Sequence, residues 1–416
     1  MHIIQPLLGL AVLTFIAWLF SENRKAFPLR WAIGAAALQI VLAGLFLRVG
    51  FLQEVLAGAG AAVRALERAS RAGSSYMFGY LGGAPLPYDP KEGISTLIIA
   101  FEILPIILVT AALAALLWHW RILSLLIKGL SWLLQRALGV GGAAGLGVAA
   151  NFFLGVVESP LIVRAYITKM TRAELFMVMV AGLATISGAV LVLYASVIEG
   201  AVANATGHIL TASLISLPAT LLFARIMVPG EYPTNAQNFD QSIQYDNTLD
   251  ALVNGVEDGL RVFLSVMAMI IVIFALVFLT NEALALLPDV GGKALSVNRI
   301  FGWVFAPLVL LFGVALEDAA IAGQLMGTKA ILNEFIAYQE LATLPDGAIS
   351  PRSAAIMTYA MCGFANLASI GLQLATFSTL APSRRAEIAS MGWRAWVAGN
   401  LATGATAAAA AIVLPG

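Results

Sequence analysis

The stretch Asn151-Phe-Phe-Leu-Gly-Val-Val-Glu-Ser-Pro160 sets one carboxylate, Glu158, among apolar residues, with a glycine and a proline beside it. Each apolar arm flanking Gly155 runs only about 12–14 residues, whereas a helix that crosses a bilayer needs about 20. Arg136 precedes the segment, and Arg164, Lys169 and Arg172 follow it. Residues 139–168 are therefore predicted to enter and leave the membrane on one side, as a re-entrant hairpin. Irregular backbone at that depth is allowed only against protein or a cavity. A carboxylate there is costly and by default marks a solute or ion path. The competing reading is a plain solvated loop.

The membrane itself follows from composition. Of 416 residues, 60% are hydrophobic and 11% charged, where a soluble domain carries roughly 25% charged. Long apolar runs call for helices, and the alternating segments of a β-barrel are absent. Net charge is zero, which leaves no nucleic-acid footprint. Cys362 is the one cysteine, so neither a disulfide within the chain nor a CxxC site can form. His2, His119 and His208 are too scattered for a metal-ligand pattern. The apolar run from His2 to Phe20 lacks a basic start and a small-residue cleavage site, and is read as a retained first span.

In chain order, spans are expected at about 3–20, 29–50, 96–120, 173–199, 209–228, 260–280, 353–380 and 393–414. Arg24, Lys25 and Arg30 place the first loop in the cytoplasm and the N-terminus outside. Residues 52–72 and 122–137 read as amphipathic interfacial helices. Glu102, in the third span, is as well explained by a structural carboxylate held by a neighbouring helix as by a functional one. Ala184-Thr-Ile-Ser-Gly188 sets hydroxyls and a glycine at mid-span, as a discontinuous helix requires; packing through small residues is the rival reading. The polar stretch 229–258 is expected to be a partly helical cytoplasmic loop.

The second half looks like the first. Two short apolar arms, Phe305–Leu316 and Ala319–Ala337, flank Glu317, Asp318 and Gly323, with Glu334 near the end of the second arm. Gly363-Phe-Ala-Asn366-Leu-Ala-Ser369 interrupts the seventh span. An odd number of crossings separates the two hairpins, so the halves are inverted, the layout of a secondary transporter with a midplane site. The expected class is an all-α integral membrane protein with eight transmembrane helices, two re-entrant hairpins and interfacial helices. It forms a single transporter domain over 1–416, with scaffold-like parts at 1–138 and about 229–285. The repeat units are 139–228 and 297–416.

Four motifs in order carry a resemblance to the concentrative nucleoside transporters. Gly155-Val-Val-Glu-Ser-Pro160 is similar to their G-Q-T/S-E-[SA]-P hairpin tip, and Asn333-Glu-Phe-Ile-Ala-Tyr338 matches N-E-F-x-A-Y. The run Ser350 to Asn366 resembles S-x-R-S…T-Y-A-L-C-G-F-A-N, and Ser74 to Tyr80 resembles S-F-V-F-G-Y. The resemblance implies a cation-coupled symporter that imports nucleosides across the cytoplasmic (inner) membrane by alternating access. It also implies a homotrimer, and hairpins and broken helices moving against the first, second, third and sixth spans.

The same resemblance assigns the site. Val156, Val157 and Glu158, with Val190 nearby, face the nucleobase. Glu334, Asn366 and Ser369 take the ribose hydroxyls, with Phe364 against the sugar. An ionised carboxylate only accepts hydrogen bonds and can take two vicinal hydroxyls, while an amide both donates and accepts. Asn151, the Leu154 carbonyl, Thr185 and the Ile186 carbonyl form the coupling-ion site, a set of neutral oxygens suited to sodium. No further cofactor is expected. Coupling to protons through Glu158 or Glu334, or another small polar solute, is the alternative. Val156-Val157 departs from the relatives' Gln-Thr or Gln-Ser. The valines predict base discrimination unlike that of uridine carriers, through acceptance of purine nucleosides or reliance on Glu158. An intramembrane enzyme is the reading from another class; the chain has no HExxH, GxSxG or Walker A motif.

Overall fold

The computed structural model describes residues 3–88, 97–156, 158–235 and 243–415. Its first helices are α1 (Ile4–Leu19), α2 (Leu29–Arg48) and α3 (Gly50–Phe78). The third is amphipathic as predicted, but it runs past residue 72, where the interfacial helix was expected to end, through Ser74–Phe78. Residues 89–96, at the predicted start of the third span, lie outside the described residues. That span is divided at Pro105 into α4 (Ile99–Glu102) and α5 (Ile106–His119), because proline cannot donate to the helical ladder. Glu102 accepts from the Ile98 amide at 3.0 Å and pairs with Arg71 of α3 at 3.4 Å, which is the structural role considered for it.

Then come α6 (Ile122–Leu138), α7 (Gly142–Leu154), the one-turn helices α8 (Ser159–Ile162) and α9 (Arg164–Ile167), and α10 (Arg172–Ala184). The predicted first hairpin is thus α7, a tip carrying Gly155 and Glu158, and α8–α9. At 13 residues, α7 is about 20 Å long, too short to cross. A capping box between Thr171 and Glu174 starts α10. The fully buried Glu174 also accepts from the Thr234 amide at 2.8 Å and the Thr234 hydroxyl at 2.6 Å. The helix stops at Thr185 and resumes as α11 (Gly188–Ile198), capped by Ser187; this is the predicted discontinuous span. The unbroken α12 (Ala205–Met227) follows.

The stretch 229–258, expected as a partly helical loop, is helical in its last part. From Thr248 it belongs to α13 (Thr248–Leu284), a single helix of 37 residues. The reason is packing: added Cβ atoms at Gly255 and Gly259 would fall 2.7 Å and 2.9 Å from the Cβ atoms of Ala115 and Ala111. Small residues at four-residue spacing let α13 and α5 lie backbone to backbone, so the helical part of the stretch runs on into the sixth span.

A correction concerns the later half. Helices α14 (Val297–Leu311) and α15 (Ala319–Gly327) do pack closely, with Gly323 against the backbone of Gly302 and Ala306. Their connection carries Glu317, exposed, and Asp318, which accepts from the Ser350 hydroxyl at 2.5 Å. It is not the counterpart of the first tip. That counterpart lies further on, where α15 widens into a π-helical turn (Thr328–Leu332) and stops at Asn333, before α16 (Glu334–Ala342). Glu334 therefore opens a helix at a hairpin tip instead of ending an arm. The chain continues as α17 (Pro351–Met361), a break at 362–366, α18 (Leu367–Leu380) and α19 (Arg385–Val413).

The order hairpin, broken helix, long helix occurs twice, as α7–α12 and α15–α19. The core sits where α10, α12, α17 and α19 meet. Helices α1 and α2 lie on α12 and α19, whereas α5 and α13 lie along each other. Among the described residues, five helical stretches are long and apolar enough to cross a membrane: 29–48, 99–119, 205–227, 248–284 and 382–413. At one end of the bundle, Glu22 binds Arg172 at 2.7 Å and Arg394 at 3.6 Å, tying the first loop to α10 and α19.

Candidate functional site

Both broken helices break at the same place in space. The Phe364 amide donates to the Thr185 carbonyl at 3.4 Å. A Cβ at Gly363 would lie 3.0 Å from the carbonyls of Leu183 and Ala184, so glycine is what lets the two unwound segments touch. Backbone groups freed at such breaks can serve a ligand, which is how discontinuous helices build sites at membrane depth.

The first tip packs onto this crossing. Gly155 has φ +103°, a backbone state essentially reserved for glycine, and its missing Cβ faces Ser187. A Cβ in its place would lie 3.5 Å from a Glu158 carboxylate oxygen, which sets that side chain beside the N-cap of α11. Glu158 is half-buried and also within electrostatic reach of Tyr245, which precedes α13. Burial together with Asp258, Asp250 and Glu158 pushes the Tyr245 hydroxyl above its ordinary range. Val156 is buried, and Val190, half-buried, lies in the first turn of α11. Val157 lies outside the described residues.

The second tip brings Glu334, Asn366 and Ser369 together. Asn333 caps α16 by accepting from the Ile336 amide at 2.9 Å, which fixes Glu334 at the first helical position. Asn366 Nδ2 donates to Glu334 at 2.8 Å, while Asn366 Oδ1 accepts from the Ser369 amide at 2.8 Å and caps α18. The cap locks the amide so that its NH₂ faces the carboxylate. Phe364 is half-buried in the break itself.

Two residues of this site escaped the sequence reading. Tyr194 donates its hydroxyl to Glu334 at 2.5 Å, from one turn beyond Val190 on α11. It sits in an apolar span as an ordinary aromatic residue, and nothing in its sequence context sets it apart. Lys329, fully buried, lies within electrostatic reach of Glu334 and donates to Asn400 Oδ1 and Thr403 Oγ1, both at 3.0 Å. It is a lone charge in the apolar run Ile321–Leu332, the same kind of signal that singled out Glu158.

Helix α11 therefore joins the two acids. Glu158 stands at its N-cap, and Glu334 is held by Tyr194, seven residues on, about 10 Å along the axis. Between them runs a face carrying Val190. A solute with hydroxyls at one end and a flat ring at the other fits that spacing and polarity.

The expected ion-site residues lie at or near the C-terminal ends of α7 and α10. Asn151 is buried, and its Nδ2 donates to the carbonyls of Gly147 at 3.2 Å and Val178 at 3.4 Å. Its Oδ1, buried as well, has no hydrogen-bond partner. Thr185, buried, donates to the Ala181 carbonyl at 2.8 Å, which spends its proton and leaves its oxygen as an acceptor. Leu154 ends α7 and Ile186 lies in the break, so each sits where the helical ladder stops. Among the described residues no cluster of His, Cys, Asp and Glu could hold a metal ion. Neutral oxygens with one buried orphan suit a monovalent hard cation, and sodium fits that set.

Two repeats of hairpin, broken helix and long helix, with the breaks in contact, are the architecture of a membrane transporter. Three family models match: Na+ dependent nucleoside transporter N-terminus over residues 8–81, nucleoside recognition Gate over 100–200, and Na+ dependent nucleoside transporter C-terminus over 208–411. An uncharacterized transporter of Haemophilus influenzae is 38% identical, over 97% of this chain and 95% of its own length. Nucleoside permease NupC of Helicobacter pylori is 33% identical, over 94% of this chain and 93% of its own. The structure of CNTnw in an inward-facing substrate-bound state superimposes with TM-score 0.89 at 34% identity, covering 99% of this chain and 98% of that one. The chain belongs to the concentrative, sodium-dependent nucleoside transporter family.

Proposed function

We propose that this protein imports nucleosides by sodium-coupled symport, alternating access to one central site. The observation that carries this reading is the placement of Glu158 and Glu334 two turns apart along α11, one from each half. Glu334, Asn366 and Ser369 receive the ribose hydroxyls, and Phe364 covers the sugar. Val156, Val157, Glu158 and Val190 receive the base. A buried acceptor–donor pair fixed by helix caps rejects a sugar that lacks the hydroxyl, because the site's own polar groups are then left without partners.

Sodium binds through Asn151 Oδ1, the Thr185 hydroxyl oxygen and the carbonyls of Leu154 and Ile186. The ion tightens the tip of the first hairpin against Ser187 and so completes the base side of the chamber. Coupling follows, since the solute meets a finished site only when the ion is present. The two hairpins and broken helices travel against the frame formed by α5 and α13. The same reading makes the protein a transporter without catalytic activity, set in the cytoplasmic membrane with its N-terminus outside. Assembly as a homotrimer rests on family membership.

Uptake of tritiated uridine and adenosine into proteoliposomes tests the proposal. An inward sodium gradient is expected to drive accumulation above equilibrium, and competition by purine nucleosides is expected because Val156-Val157 cannot read a pyrimidine edge by hydrogen bonds. Accumulation driven equally by a proton gradient without sodium would overturn the ion assignment. Absence of nucleoside uptake under either gradient would overturn the substrate.

A further inference from the structure

Lys329 is the charged group that the transport scheme leaves unused, and it is fully buried in the second half. Its partners are fixed by their other bonds. Thr403 spends its hydroxyl proton on the Asn400 carbonyl at 3.1 Å. Asn400 spends both amide protons, on the carbonyls of Ala365 and Trp396, each at 3.0 Å. What faces the lysine nitrogen is therefore oxygen only: Asn400 Oδ1 and Thr403 Oγ1, each at 3.0 Å. Among the described residues no carboxylate stands within ion-pair distance of it, though Glu334 lies within electrostatic reach. Neutral oxygens with an acid at longer range are the surroundings of a small cation.

Its place in the repeat matches that reading. Asn151 stands four residues before Gly155, where α7 stops. Lys329 stands four residues before Asn333, where the helical run of the second hairpin stops, and it lies on the π-helical turn. Such turns concentrate at functional sites. The acceptors are also wired to the crossing of the breaks. Asn400 holds the Ala365 carbonyl, Thr403 lies against Gly363, and Gly363 lies against the carbonyls preceding Thr185. A contact chain thus runs from Lys329 to the first half's ion ligands.

We propose that the Lys329 ammonium is a tethered cation that fills, in the second half, the position an exchangeable ion takes in the first. It limits transport to one sodium per nucleoside and, when protonated, sets a positive charge within electrostatic reach of Glu334. The proposal rests on the sodium-coupled reading above.

The test measures the sodium dependence of nucleoside uptake in proteoliposomes for the wild type, Lys329→Ala and Lys329→Met. The wild type is expected to show a sodium Hill slope near one. Lys329→Ala vacates the oxygens, so its uptake at low sodium should fall at least tenfold and its slope should rise towards two. Added methylammonium should return the slope to one. Lys329→Met fills the space without charge and should lose uptake with no rescue by methylammonium. A wild-type slope of two, or either variant keeping wild-type slope and half-saturation, overturns the proposal. If Lys329→Ala yields no monodisperse protein, its purification with methylammonium decides: recovery supports the proposal and no recovery overturns it. Sodium-independent uptake by the wild type would instead remove the underlying symport reading.

Discussion

The Tyr194 hydroxyl donates to the Glu334 carboxylate at 2.5 Å, across the boundary between the two halves. The acid that defines the second hairpin is thus oriented by a residue of the first half's broken helix. With Asn366 on its other oxygen at 2.8 Å, Glu334 is held in one rotamer before any solute arrives. Preorganisation of this kind spares a ligand the ordering of its site.

Glu334→Gln keeps the shape and one acceptor but removes the charge. Hydrogen bonds to a charged group contribute about 1.5–3 kcal/mol, so nucleoside affinity should fall roughly 10- to 150-fold. Binding calorimetry with a nucleoside and its 2′-deoxy and 3′-deoxy analogues checks this. The variant should also lose most of the wild type's preference for the ribose form; an unchanged preference would remove the assignment.

Tyr194→Phe deletes one donor and leaves Asn366 in place. The expected loss is about 1 kcal/mol, roughly fivefold in nucleoside affinity, with the sodium Hill slope unchanged. The same calorimetry, paired with sodium titration, separates this from a general defect.

Asn151→Ala and Thr185→Val each remove an oxygen from the ion set. Asn151→Ala also loses the Nδ2 bonds to the Gly147 and Val178 carbonyls, and Thr185→Val the bond to Ala181, so a thermal melt of each variant accompanies the uptake to separate ion binding from stability. The sodium concentration giving half-maximal uptake should rise on the order of tenfold, the equivalent of about 1.4 kcal/mol. Uptake kinetics at varied sodium measure it.

Gly155→Ala forces a side chain onto φ +103° with its Cβ 2.9 Å from that of Ser187. A strained backbone state of this kind costs about 1–3 kcal/mol. Thermal unfolding in detergent should show a lower midpoint, whereas Gly129→Ala, on α6 with nothing near its Cβ, should hold or raise it.

Arg172 holds the Glu22 carboxyl below its ordinary 4.5. The stabilisation is therefore present above that value and is lost as pH falls through the lowered one. Glu22→Gln should flatten this acid loss in a series of thermal melts, with an effect under about 1 kcal/mol at neutral pH because the pair is partly solvated.

Sequence was most legible where chemistry conflicts with the membrane. Glu158 among apolar residues gave the first hairpin, and Ala184–Gly188 gave the broken helix, because unpaired polar groups and charges at depth have few physical solutions. It was least legible where polar composition masks packing. The stretch 229–258 reads as a partly helical loop separate from the sixth span, yet Gly255 and Gly259 let α13 run unbroken from Thr248 against Ala111 and Ala115. The second tip was placed at Glu317-Asp318 because two apolar arms flank it; periodicity finds helix pairs but not which turn is re-entrant. Tyr194 was out of reach, since its role depends on a contact 140 residues away in sequence.

Helix α13, at 37 residues, is about 55 Å long, against a hydrocarbon layer of about 30 Å. Its first turns, with Glu257, Asp258 and Arg261 exposed, stand as a mast rising out of the lipid. On the proposed scheme, a spin label on that mast moves with the frame alone. The distance from it to a second label near Ser159 would act as a ruler, reading the stroke of each transport cycle in ångströms.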